Sequence, residues 1–317
     1  MIDPNTAMSA AGEGAKAVSK FEEILQKIYG PKWTRKQADA DAYADARKLQ
    51  TIRDNPDMEI VFANGQMNAR ARTPEALALR AKQRLLAESI RQEENLEDIL
   101  EIARDELSST ESVSDDAVNE DWITRFIGIV KDVSADEMKF LWGKILSGEV
   151  NKPGSFSLRT LDVIRNISKK EAEAFQHLCP LVLSCPSNRD TKTEDYFVLA
   201  DSFNNNRNIE YNDLLLLEDA GLLSMKDFVS IDFAIAPYGS EILKGCGQSI
   251  KISNKIDKEI RINHIAFFLT TAGKELFSLL AAGFSATNEY LSETISLIKE
   301  EHQHLSNFDA IEFEIVE

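Results

Sequence analysis

Residues 121–175 read DWITRFIGIVKDVSADEMKFLWGKILSGEVNKPGSFSLRTLDVIRNISKKEAEAF and hold two of the three tryptophans of the 317-residue chain. Apolar side chains recur in this stretch at the spacing of one helix face, and they are Met138, Leu141, Trp142, Ile145 and Leu146. That spacing is typical of a helix that packs on a core. The stretch therefore predicts a folded helical core, and no pattern in it indicates a reaction.

Helix starts are also marked in this stretch. Ser134 and Glu137 have the spacing of a capping box, and so do Ser168 and Glu171. We take the signature of the helical core to be Trp122, Met138, Leu141, Trp142, Ile145, Pro153 and Leu161. The two tryptophans lie in apolar helical patterns, which favours a packing role over a ligand platform.

The chain before this core also has helical patterns. Apolar residues from Val18 onward predict a first helix that ends before Gly30-Pro31. A second helix is expected over 33–52, whereas residues 54–73 predict a loop with one short helix. Pro74 has the position of a first helical residue and opens a long helix. Oppositely charged residues are interleaved along it, as on a solvated helix face.

After Cys179-Pro180 the pattern changes to short apolar runs that favour strands. A helix is expected over 209–223, followed by strands and by a helix that starts at Thr270. This order is typical of a winged-helix-like module. The predicted fold class is therefore mostly α, with helical N-terminal and central domains and an α+β C-terminal part.

Composition divides the chain into four predicted regions. Residues 108–120 read SSTESVSDDAVNE, an acidic, serine-rich run without periodicity that is typical of a linker. A helical N-terminal region is expected over 1–107. A central helical domain is expected over 121–180, and a winged-helix-like α+β domain over 181–317.

The net charge of −17 limits the classes of partner. Residues 111–317 carry 20 Lys and Arg against 34 Asp and Glu, whereas residues 1–110 carry 16 against 19. An acidic second half repels phosphate backbones, so nucleic-acid binding is disfavoured there. Three scattered cysteines, Cys179, Cys185 and Cys246, favour free thiols in a reducing compartment. With neither a membrane-span pattern nor a secretory signal pattern, we expect a cytoplasmic bacterial protein and no membrane partner.

Residue patterns of known catalytic sites are missing from the sequence. Gly245-Cys246-Gly247 is interpreted as a hairpin tip and not as a reactive-thiol site, because no nearby histidine would activate the thiol. His302 and His304 point in different directions on a helix, so they are poor metal co-ligands. We therefore predict no catalytic residue, no cofactor and no metal, while an enzyme without a recognisable motif stays an alternative.

Two surfaces are candidates for binding. The predicted second helix carries a stripe of small side chains, at Ala38, Ala42, Ala46 and Leu49. Such a stripe lets another helix approach closely. A basic patch would serve a nucleic-acid-binding alternative, and it consists of Lys32, Arg35, Lys36, Arg47 and Lys48. The predicted recognition helix at 210–220 carries acidic residues and no Lys or Arg, which argues against base reading.

The motifs MKFLWGKIL at 138–146, PGSFSLRTL at 153–161 and SKKEA at 168–172 resemble a bacterial family of uncharacterised proteins, domain-of-unknown-function family 2806. This resemblance covers about residues 75–225 and implies no activity, cofactor or catalytic residue. A looser likeness links the LW…IL helix, the proline turn and the following helix to the abortive-infection alpha proteins. That likeness implies a role in phage defence.

These observations favour a non-enzymatic cytosolic bacterial protein that acts through protein–protein contacts. We expect a protein partner or a homo-oligomer, and the looser likeness adds a role in defence against phage with a phage component as partner. One alternative is a nucleic-acid-binding regulator that uses the winged-helix-like module. Another is a membrane-active effector that uses the amphipathic helix at 15–29.

Overall fold

The computed structural model describes residues 4–29, 60–63, 66–69, 74–110, 113–188, 191–200, 209–225, 230–304 and 308–316. The chain forms two compact units, Met1–Ser155 and Phe156–Glu317. The four predicted regions stay a prediction. The predicted helix over 33–52 lies outside the described residues.

The first unit is mainly helical. Its described elements are α1 (Pro4–Tyr29), β1 (Ile60–Ala63), β2 (Gln66–Ala69), α2 (Pro74–Ser108), α3 (Glu120–Val130) and α4 (Asp136–Asn151). The long helix that begins at Pro74 is thus confirmed. The short helix expected within 54–73 is wrong, because β1 and β2 pair antiparallel there. Asn64-Gly65, the dipeptide most typical of hairpin turns, stands between them in the sequence.

Aromatic rings occupy the centre of the first unit. Trp142 of α4 is fully buried and meets Phe126 edge to face, with 5.8 Å between the ring centroids. Phe126 in turn stacks on Trp122 at 5.1 Å. Aliphatic side chains of α2 complete this core, and they are Leu96, Ile99, Leu100, Ala103 and Leu107. Of the signature residues, Trp122, Trp142, Ile145 and Leu161 are buried, whereas Met138, Leu141 and Pro153 are half-buried.

The packing of α2 on α4 depends on Gly143. A Cβ atom at this position would lie 2.5 Å from Cγ2 of Ile102 and 2.8 Å from its Cβ. It would also lie 3.3 Å from the backbone nitrogen of Ala103. Since Cβ positions are fixed by the backbone, only a residue without a side chain lets the two helices approach this closely.

The turn between α3 and α4 corrects one predicted capping box. The N-cap of α4 is Ala135, with no side-chain hydrogen bond, and Ser134 is not the cap. The Ser134 hydroxyl lies 3.4 Å from Nδ2 of the buried Asn95, which also donates to the Lys131 carbonyl at 3.0 Å. A contact with α2, remote in sequence, therefore replaces the local cap.

The second unit combines helices with a sheet. Its elements are α5 (Leu158–Asn166), α6 (Lys169–Leu178), β3 (Leu183–Asn188), β4 (Thr191–Leu199), α7 (Tyr211–Asp219), β5 (Leu223–Ser224), β6 (Ser230–Ile235), β7 (Ser240–Lys244), β8 (Ser249–Asn254), β9 (Ile260–Leu269), α8 (Thr271–Leu280), α9 (Asn288–His302) and β10 (Ile311–Val316). The capping box of Ser168 and Glu171 is confirmed at the start of α6.

The described strands of this unit form one eight-stranded antiparallel sheet. Its order is β10-β8-β7-β3-β4-β9-β5, and β6 pairs with the first half of β9. Alternate residues of β9 are buried, and α9 contacts β8, β9 and β10. A mostly α fold with an α+β C-terminal part is confirmed. A winged-helix arrangement is not confirmed, because the strands after α7 join this large sheet.

We predict that Gly143→Ala lowers the free energy of unfolding by about 1–3 kcal/mol, the usual cost of overpacking a core. The gain in helix propensity, at most about 1 kcal/mol, offsets only part of the overpacking cost at this tight contact. Chemical denaturation followed by circular dichroism measures the change.

Gly128 of α3 provides the matched control, because a Cβ there meets nothing within 4 Å. Gly128→Ala is expected to leave stability unchanged or to raise it by up to about 1 kcal/mol. Equal effects of the two substitutions would contradict a close contact at Gly143.

Candidate functional site

A row of polar side chains crosses three strands of the second unit. Ser184 of β3 is the register partner of both Lys244 in β7 and Tyr196 in β4. Cross-strand partners share one face of a sheet, and residues two apart along a strand do too. Glu194, two residues before Tyr196, therefore lies on the same face.

The Glu194 carboxylate is the centre of this row. Its Oε1 forms an ion pair with the Lys244 ammonium. Its Oε2 accepts hydrogen bonds from the Ser184 and Tyr196 hydroxyls, each at 3.3 Å. Ser184 is only 5% exposed, so one of these donors lies almost fully inside the protein. We call these four residues the Glu194 cluster.

The protonation states of the Glu194 cluster follow from these contacts. The hydrogen bond from Lys244 holds the pKa of Glu194 below its ordinary value. The same contact raises the pKa of Lys244. Burial, and next the Glu194 charge, raise the pKa of Tyr196. At neutral pH the cluster therefore contains a carboxylate, an ammonium and a neutral phenol.

A cavity of about 250 Å³ lies beside the Glu194 cluster. Phe277 of α8 and Ala281 just after this helix provide an apolar wall, and the Phe277 and Tyr196 ring centroids are 5.6 Å apart. The turn between β7 and β8 lines the cavity through Gly245, Cys246 and Gly247. Gly247 has a φ of +74°, which favours glycine. The predicted hairpin tip at 245–247 is thus confirmed.

The cysteines near this cavity are not activated nucleophiles. Burial raises the pKa of Cys185 to about 11 and raises the pKa values of Cys179 and Cys246 too. The Cys246 thiol donates to the Cys179 carbonyl, with 3.5 Å from sulfur to oxygen. Because the thiolate is the reactive form, these thiols are poor nucleophiles at neutral pH.

A second cavity, of about 240 Å³, lies in the first unit beside Lys20. The Lys20 ammonium donates to the carbonyls of Val150 at 2.9 Å and Ser114 at 3.0 Å. Burial lowers the pKa of Lys20. Since Val150 lies in the last turn of α4, the bond to its carbonyl satisfies a helix-end group and ties α1 to α4. Lys20 therefore has a structural role.

An exposed apolar stripe lies on the N-terminal part of α2. Leu77 is 61% exposed and Leu85 is 59% exposed. Ala81 stands midway between them, so the three side chains share one helix face. We call these three residues the α2 stripe. The buried part of α2 begins only at Asn95.

A family model described as "Protein of unknown function (DUF2806)" matches residues 79–294. The chain belongs to the DUF2806 family. The match spans the Glu194 cluster and most of α2. No curated protein and no solved structure matches the chain. The likeness to abortive-infection alpha proteins stays a prediction.

Most predicted binding residues of this DUF2806 protein lie outside the described part of the chain. These are the small-residue stripe (Ala38, Ala42, Ala46 and Leu49) and the basic patch (Lys32, Arg35, Lys36, Arg47 and Lys48). The predicted recognition helix is observed as α7, and it contains no Lys or Arg. In the described residues no helix is long and apolar enough to cross a membrane.

Two histidines of the second unit, His264 and His302, serve the packing of α9. Nε2 of His302 accepts from the Asn263 backbone nitrogen at 3.1 Å, and its Nδ1 lies 2.9 Å from the Ile298 carbonyl. Buried His264 on β9 contacts the Glu301 carboxylate. Among the described residues, no three His, Cys, Asp or Glu side chains lie close enough together to bind a metal.

Sequence reasoning missed the Glu194 cluster in this DUF2806 protein. Lys244 is 50 positions from Glu194, and Ser184 is 10 positions from it. Glu194 and Tyr196 lie two positions apart just where an apolar run begins, which was a weak sign that both face one side of a strand. Only the strand register identifies their partners.

We predict that Glu194→Gln lowers the free energy of unfolding at pH 7 by about 0.5–1 kcal/mol, the range of partly exposed ion pairs. Since the folded pKa of Glu194 is lowered, this stabilisation is present above the unfolded value of about 4.3. It disappears as the pH falls through the folded pKa. Urea denaturation at several pH values measures the difference.

Glu312→Gln is the control, because Glu312 pairs with Lys255 at 3.0 Å on an exposed surface. We expect it to have a smaller effect than Glu194→Gln at pH 7. If Glu194→Gln lowered the free energy of unfolding equally at pH 7 and pH 3, the result would contradict the assigned ion pair.

Proposed function

We propose that this protein acts by binding another protein through the α2 stripe, without catalysing a reaction. The observation that carries the proposal is the exposure of Leu77 and Leu85 on one helix face, at 61% and 59%. Single exposed apolar residues are ordinary, but apolar residues grouped on one face are typical of interaction sites. The protonated thiols and the carboxylate held by Lys244 support a role without catalysis.

The geometry of α2 suits recognition by a groove or a second helix. Leu77, Ala81 and Leu85 are spaced by four residues, and they extend over about 12 Å at 1.5 Å per residue. Apolar anchors with this spacing are typical of helices that bind in apolar grooves. The other half of α2 is held in the core of the first unit, which keeps the stripe helical before any partner binds.

Charges beside the stripe define the chemistry of the partner. Residues 77–91 carry four basic side chains and one acidic side chain, although the chain as a whole has a net charge of −17. By helical geometry, Arg84 and Arg91 fall on one side of the stripe and Lys82 on the other. Two stripes facing each other would bring these cations together. The favoured partner is therefore a different protein surface with apolar and acidic residues.

A photo-crosslinking amino acid at position 81, introduced in cells, tests this proposal directly. We expect a covalent product with an acidic protein that then binds the purified chain. Replacing both Leu77 and Leu85 with Gln is expected to weaken that binding by about 10–100-fold, or 1.4–2.7 kcal/mol. Gln preserves helix propensity, so stability should change by less than about 0.5 kcal/mol.

Leu215→Gln provides the control, because Leu215 is an exposed residue of α7 in the second unit. It should leave partner binding unchanged. The proposal would be overturned if the position-81 crosslink formed only with lipid or nucleic acid. It would also be overturned if the Leu77/Leu85 variant bound the partner as tightly as the parent chain.

The remaining expectations are also tested by direct experiments. Homo-oligomer formation predicts a solution mass above that of the 35.5 kDa chain at micromolar concentration. The nucleic-acid alternative predicts salt-dependent binding to duplex DNA, and the membrane alternative predicts flotation with liposomes.

The phage-defence role rests on the looser likeness alone. It predicts fewer plaques in cells that carry the gene, and an identical plaque count over a broad phage panel would overturn it.

A further inference from the structure

The cavity beside the Glu194 cluster is small and has two chemically distinct sides. Its volume of about 250 Å³ is below the roughly 300–1,000 Å³ typical of pockets for drug-sized ligands. Lys244 and Glu194 form its charged side, while Phe277 and Ala281 are on its apolar side. We propose that this cavity binds a free α-amino acid with an apolar side chain.

The pair of opposite charges selects the charge type of the ligand. An ion pair is separated at the smallest cost when the ligand supplies a new partner for each of its two charges. A simple anion would pair with Lys244 and leave Glu194 alone, and a simple cation would do the reverse. A zwitterion placed between them provides a carboxylate for the ammonium and an ammonium for the carboxylate. It is thus the ligand class that leaves both charges paired.

The hydroxyl groups prepare Glu194 for this exchange. Ser184 and Tyr196 both donate to Oε2, so that oxygen keeps its partners when Lys244 leaves Oε1. Lys274 fixes the adjacent backbone, since its ammonium lies 3.4 Å from both the Glu194 carbonyl and an Asp195 carboxylate oxygen. The carboxylate is therefore positioned in advance, which lowers the entropic cost of binding.

Lys244 is the part of the site that can move. Its side chain is 55% exposed, whereas that of Glu194 is 29% exposed. A long lysine side chain on the rim changes rotamer at little cost and follows the carboxylate of the ligand. The glycines of the β7–β8 turn leave the rim without side chains at 245 and 247. The apolar wall formed by Phe277 and Ala281 then receives the ligand side chain.

Ligand-observed NMR and calorimetry with three compounds of similar shape test the site. L-Leucine carries both charges, 4-methylpentanoate lacks the amine and isoamylamine lacks the carboxylate. We expect L-leucine to bind at least about tenfold more tightly than either analogue. Equal affinity for all three compounds would overturn the proposal. The absence of detectable binding by any apolar amino acid at a ligand concentration of about 10 mM would overturn it too.

Substitutions locate the binding to this cavity. Lys244→Gln and Glu194→Gln are each expected to weaken L-leucine binding by at least about tenfold. Because Lys244 is largely exposed, its variant should remain folded, and circular dichroism checks this. Lys255→Gln removes a lysine from a surface ion pair outside this cavity and should leave the affinity unchanged. L-Leucine binding that survives both cluster substitutions would overturn the assignment.

Discussion

The close contact between Gly143 of α4 and Ile102 of α2 is the constraint on which the first unit depends. Only glycine permits this approach, and the approach brings Trp142 against the aromatic rings of α3. Asn95 then ties the turn before α4 to α2 through its amide group. As a result, α2 is anchored from about Asn95 onward, and its earlier turns project an exposed apolar face.

Local sequence signals predicted the helices of the central stretch well, because apolar periodicity and capping are properties of neighbouring residues. The capping box at Ser168 and the apolar face around Trp142 are examples. The same reasoning failed at Ser134, whose hydroxyl is used by Asn95 from another helix. It also missed the Glu194 cluster. Lys244 and Glu194 are 50 positions apart in the sequence, and a contact that depends on the sheet register leaves no local signal. Long-range contacts, and not propensities, decide both cases.

Two surfaces of different chemistry emerge from this architecture. The α2 stripe is apolar with basic neighbours on an acidic chain, which suits an acidic protein partner. The Glu194 cluster joins opposite charges beside an apolar wall, which suits a small zwitterion. Neither surface contains an activated nucleophile, since the nearby thiols are protonated at neutral pH. Membership of the DUF2806 family adds no activity to this picture. A binding role is consistent with all of these observations.

We propose that α2 is a core helix in its C-terminal half and an exposed binding helix in its N-terminal half. Amide hydrogen exchange along α2 in the isolated protein distinguishes the two halves. Amides of residues 96–107 should exchange only through global unfolding, with an opening free energy of about 5 kcal/mol or more. Amides of residues 79–91 should exchange through local openings of much lower free energy. Uniform protection along the whole helix would contradict this division of α2.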